Sequence, residues 1–185
     1  FIDTDYVTLC ADDDFIIPSG IKASIDFLNA NPDYSCAHGR YWHHIKKDNI
    51  VSFGPLYEEA ISIEKENAID RLIEFFPQNY AGYPYYAVHR TETLQKVWKS
   101  VSQSVTDWGM AEITPSCLSI IDGKMKKFPV AYASREPNQY NWKSWERLQE
   151  MFSPEKVKIG CEMMATLLAE KDQTPFDQAL ITINQ

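Results

Sequence analysis

The strongest constraint on this chain is one stretch, Tyr6-Val7-Thr8-Leu9-Cys10-Ala11-Asp12-Asp13-Asp14-Phe15-Ile16-Ile17-Pro18. Its apolar, partly β-branched start predicts a strand. Three consecutive carboxylates end the run, and Pro18-Ser19 opens a helix. Strand, acidic turn and helix in that order bring charged groups to the carboxyl edge of a sheet, where α/β enzymes bind ligands. Adjacent acids repel one another by roughly several tenths of a kcal/mol unless a cation sits among them. Hard divalent cations take carboxylate oxygens, and Mg²⁺ combines one or two of them with substrate phosphates. The stretch therefore predicts a metal–phosphate site at the end of a strand. The competing reading is a turn whose aspartates cap helix amides.

A length of 185 residues predicts one domain. The formal net charge of −8 argues against nonspecific binding to nucleic acid or anionic membranes. A phosphate-bearing ligand would then need local cations, which a bound metal supplies. Cys10, Cys36, Cys117 and Cys161 lie far apart without zinc-ligand spacing, so reduced, buried thiols in a cytoplasmic protein are expected. No apolar run reaches membrane-spanning length, and no signal peptide is expected. The opening Phe1-Ile2-Asp3-Thr4-Asp5 starts beside a strand without an initiator Met, as expected for a fragment of a longer chain.

Along the chain, Ile21, Ile25 and Leu28 share one helical face between Ser19 and Asn31, with Asn31-Pro32 as a stop. Residues 34–42 read as a strand in which Gly39 permits close backbone approach. The stretch 46–59, with Gly54-Pro55, reads as a loop or hairpin. Ser62 is the expected N-cap of a helix carrying Ile69, Leu72, Ile73 and Phe76. A strand over 85–89 precedes a helix capped by Thr91, with Leu94, Val97, Trp98 and Val101 on its buried stripe. Thr114-Pro115 predicts the start of a helix that runs to Ile121 and stops at Gly123. A last strand is expected over 127–133, then a long packing helix opened by Ser153-Pro154-Glu155.

The acidic triplet with Pro18, the phrase Asn31-Pro32-Asp33-Tyr34, the Gly-bearing strand and Trp108-Gly109-x-x-Glu112 together resemble the carboxyl-terminal part of bacterial family-2-like glycosyltransferases of the GT-A fold. The resemblance implies an α/β fold, a partial GT-A-like mixed sheet flanked by helices. It covers residues 1–136, and a helical carboxyl-terminal extension over 137–185 would pack on the same domain. It implies Mg²⁺ or Mn²⁺ held by Asp12 and Asp14 against the diphosphate of a nucleotide-sugar donor, with Asp13 touching the donor sugar or ribose. It also implies a catalytic carboxylate at Glu112, with Asp107 as second choice. Arg135, just after the last strand, is a candidate for the leaving diphosphate, and a surface ion pair is the alternative. Tyr80, Tyr83, Tyr85, Tyr86 and His89 are candidates for the side that receives a glycan acceptor.

The resemblance implies amino-terminal βαβ units that hold the nucleotide base, expected ahead of Phe1 and so missing from a fragment of this kind. Two rivals follow. One is a noncatalytic, transferase-derived interaction module that binds a partner or a second copy of itself as a homodimer. The other is an aspartate-nucleophile phosphohydrolase, suggested by Asp3-Thr4-Asp5-Tyr6-Val7.

Overall fold

The computed structural model describes residues 2–76, 83–102, 108–136 and 153–184. The strands are β1 (Tyr6–Thr8), β2 (Phe15–Ile16), β3 (Tyr34–Lys47), β4 (Ile50–Leu56), β5 (Val88–Arg90) and β6 (Lys124–Arg135). The helices are α1 (Pro18–Ala30), α2 (Ala68–Phe75), α3 (Thr91–Val101), α4 (Trp108–Asp122), α5 (Pro154–Asp172) and α6 (Phe176–Ile183), with a single 3₁₀ turn at Tyr83–Tyr86 among these elements.

These strands form one mixed sheet in the order β1-β5-β3-β6-β2, with β4 paired to the outer length of β3. Only β3 and β6 run parallel; the remaining pairs are antiparallel. Alternate residues of β3 face opposite sides of the sheet. Cys36 joins the core beneath α2, α4 and α5, whereas Ala37 joins a second core under α1. Both faces are covered, giving an α/β architecture.

Glycines let backbones touch at two points. A Cβ on Gly20 would lie 2.5 Å from the Ala131 carbonyl oxygen, so α1 sits directly on β6. A Cβ on Gly39 would lie 2.9 Å from Tyr132 Cβ, the close approach expected of that strand. Asp48, at a φ of 54°, turns β3 into β4 through a two-residue loop, so the stretch after residue 46 is a hairpin. Pro55 is tolerated because β4 is an edge strand.

Three polar groups close helix ends. Arg71, only 6% exposed, donates from Nε to Ile120 O (2.8 Å) and from Nη2 to Ile121 O (2.8 Å), satisfying carbonyls at the end of α4. Asp172 accepts from the amides of Ala68 (3.0 Å) and Ile69 (2.9 Å) at the start of α2. Arg90 donates to Leu28 O (2.6 Å) and Asn31 O (2.9 Å) where α1 ends.

The structure departs from sequence expectation at several boundaries. Ser62 caps no helix: its Oγ accepts from the Lys127 amide (3.0 Å), which draws this segment onto β6, and α2 starts only at Ala68. Thr91 lies inside α3, whose N-cap is Arg90. Thr114-Pro115 does not begin a helix; α4 starts at Trp108 and carries Pro115 in its interior. An interior proline costs about 3 kcal/mol. Here residues 114–121 are all buried, and that burial offsets the cost. The last strand is longer than expected, and a short β2 intervenes before α1. Cys36, Cys117 and Cys161 are buried free thiols, but Cys10 is exposed. No helix among the described residues is long and apolar enough to cross a membrane.

Candidate active-site cleft

The acidic triplet follows β1 as a turn, closed by the Asp14 amide donating to Ala11 O at 3.2 Å. That turn forms one wall of an open cleft of about 830 Å³. The end of β6 contributes Arg135 and Glu136, α4 contributes Ala111 and Glu112, and the β3–β4 hairpin contributes His43, Ile45 and Leu56, with Tyr57 just beyond β4. Tyr85 and Tyr86 complete the lining from the 3₁₀ turn. Asp12, Asp13 and Asp14 thus share one concavity with Tyr85, Glu112 and Arg135, which are far from them in sequence.

A chain of contacts crosses the cleft floor. Asp14 Oδ2 meets Arg135 Nε at 2.9 Å, with side chains only 7% and 20% exposed respectively. The guanidinium lies 4.1 Å from the centroid of the Tyr86 ring, a cation–π arrangement, and donates from Nη1 to the Tyr57 hydroxyl at 3.3 Å. The Tyr86 hydroxyl in turn donates to Glu112 Oε1 at 3.0 Å. Burial raises the Asp14 carboxyl pKa, against the pull of Arg135. Burial opposes the Arg135 charge, yet Tyr57, Tyr86 and Asp14 outweigh it and raise its pKa.

The surrounding fold holds these groups in place. Tyr132 OH and Thr8 Oγ1 both donate to Tyr86 O, at 2.7 and 3.1 Å, tying the end of β1 to the 3₁₀ turn through β6. Lys127 Nζ donates to Tyr57 O (2.9 Å), Glu58 O (3.0 Å) and Ala60 O (2.6 Å), clamping the segment after β4. Tyr57 has a φ of 53°, a left-handed conformation that this clamp supports.

Other candidate residues lie elsewhere. Tyr83 is fully buried (0% exposed) against His38 and Phe75, and so does not face an acceptor. His89 is 1% exposed with Nε2 2.9 Å from Pro84 O, a core histidine holding the 3₁₀ turn. Asp107 and Tyr80 lie outside the described residues. Asp3 and Asp5 are exposed and precede β1, whereas the triplet follows it. Sequence reasoning missed Tyr57 and Cys10 as cleft residues. The aromatic residues flanking Gly54-Pro55 were the available signal, but only the pairing of β4 with β3 brings them to the site.

Among the described residues, no three His, Cys, Asp or Glu side chains converge as a ready metal cluster. A Mg²⁺-type site that completes its shell with diphosphate oxygens requires only one or two carboxylates. Asp12 and Asp13 offer exposed carboxylates on the turn, and Asp14 adds a half-buried one. That hard-oxygen donor set suits such an ion. No family model matches the chain, and no curated protein matches it.

Proposed function

We propose that the cleft is the catalytic half of a metal-dependent inverting glycosyltransferase, which moves a sugar from a nucleoside diphosphate to a hydroxyl of a glycan acceptor. The supporting observation is that the Asp12–Asp14 turn, Arg135 and Glu112 line one cavity of sugar-accommodating size. In this reading Asp12 and Asp14 hold Mg²⁺ or Mn²⁺, and Asp13 contacts the donor sugar or ribose. Bound there, such an ion would supply positive charge to offset that developing on the departing diphosphate. Arg135 adds hydrogen-bond donors for the same oxygens. Glu112, steadied by the Tyr86 hydroxyl, accepts the proton of the acceptor hydroxyl. That oxygen forms the new bond to the anomeric carbon as the sugar–diphosphate bond breaks on the opposite face. Tyr85, half-exposed on the cleft, offers a ring for the acceptor sugar.

The test is thermal melting with Mn²⁺, alone and with a panel of nucleoside diphosphate sugars, because a ligand specific for the folded state raises the melting temperature. A rise that needs both Mn²⁺ and one donor supports the reading. No rise with any donor contradicts it.

A second reading, a noncatalytic module, draws on the β3–β4 hairpin. Ile50 (72% exposed), Phe53 (65%) and neighbouring Phe15 (65%) present apolar surface beside an open strand edge. A stable homodimer without donor affinity favours it.

A further inference from the structure

The three acids of the turn are not equivalent. Asp12 and Asp13 are exposed, whereas Asp14 is half-buried and already has a counter-ion. Arg135 reaches Asp14 Oδ2 at 2.9 Å from the last residue of β6. Its guanidinium rests on the Tyr86 ring and donates to the Tyr57 hydroxyl, so it is supported on two further sides. A divalent cation approaching Asp14 therefore meets a fixed positive charge a few ångströms away, in a partly desolvated site where like charges repel strongly.

We propose that Arg135 is an internal gate for the cation: it occupies Asp14 in the free protein, and the divalent ion binds by displacing it. The proposal rests on the metal reading given above and adds to it a competition within the site. The displaced guanidinium remains anchored through the β6 backbone at the cleft wall, where a diphosphate becomes its replacement partner. Release of Arg135 by the cation and its capture by diphosphate would then reinforce each other, since coupling between two ligands is reciprocal. Arg135 thereby limits cation binding before a donor arrives.

The experiment is calorimetric titration with Mn²⁺ alone into the wild type, Arg135→Gln, Arg135→Lys, Asp14→Asn and the Asp14→Asn/Arg135→Gln double variant. Cation-free melting curves verify folding. The expected result is Mn²⁺ binding about tenfold or more tighter in Arg135→Gln, lost again in the double variant. Arg135→Lys, which keeps the charge but not the planar fork, is expected to show a smaller gain. If Arg135→Gln does not fold, a gain in Arg135→Lys supports the gate, and unchanged or weaker binding there overturns it. Equal affinity in wild type and Arg135→Gln, with loss in Asp14→Asn, overturns the gate while leaving the metal site standing. Absence of binding in every variant overturns both.

Discussion

The Tyr86 hydroxyl donates to Glu112 Oε1 at 3.0 Å, joining the 3₁₀ turn to the first turns of α4 across the cleft. A carboxylate projecting freely into solvent would sample many rotamers. Glu112 instead has one oxygen fixed by a residue whose own backbone is held by Tyr132 and Thr8.

Tyr86→Phe is predicted to cost about 1 kcal/mol of folding stability, the usual net value of such a bond. In a double-mutant cycle with Glu112→Gln, chemical denaturation should give a coupling energy of about 0.5–1.5 kcal/mol. Additive effects would mean that the bond contributes nothing in solution.

Arg71→Met is predicted to be among the most damaging single changes, at about 3 kcal/mol or more, because it leaves the carbonyls of Ile120 and Ile121 without their donor inside the protein. Asp172→Ala, at the end of α5, removes the acceptor for the first amides of α2 and should cost about 1–2 kcal/mol. Urea denaturation midpoints at constant m-value check both.

Acid should weaken the fold through two core histidines. His38 and His89 are fully buried, and burial lowers each pKa to about 4. Unfolded, each takes a proton near pH 6.5. Between these values the unfolded chain binds more protons, so stability is intact above about pH 6.5 and is lost as pH falls toward 4. The expected contribution is on the order of 3 kcal/mol per histidine by pH 4. Denaturation across this window should show the loss, and His38→Phe should flatten the slope.

The acidic turn was legible because everything that makes it is local: a short β-branched run, three acids and a proline of the kind favoured at a helix start. The hairpin and the packing helix opened by Ser153-Pro154 were legible for the same reason. Thr114-Pro115 misled because proline at a helix start is the commoner pattern, and only burial on all sides reveals an interior one. Ser62 misled because its partner, the Lys127 amide, lies far along the chain. Arg135 was legible as a residue at the end of the last strand, but its ion pair with Asp14 depends on β2 pairing with β6. Tyr83 and His89 sit beside the cleft residues in sequence, yet the 3₁₀ turn buries Tyr83 and β5 buries His89, while Tyr85 and Tyr86 line the cleft. Such alternation cannot be read from aromatic content.

The most direct test is calorimetric binding of a nucleoside diphosphate sugar in the presence and absence of Mn²⁺, using the donor identified by thermal shift. Wild-type protein and Glu112→Gln should both bind it only with the metal, since Glu112 acts on the acceptor, and Asp14→Asn should lose that metal-dependent binding. Metal-dependent affinity left unchanged in Asp14→Asn would contradict the account.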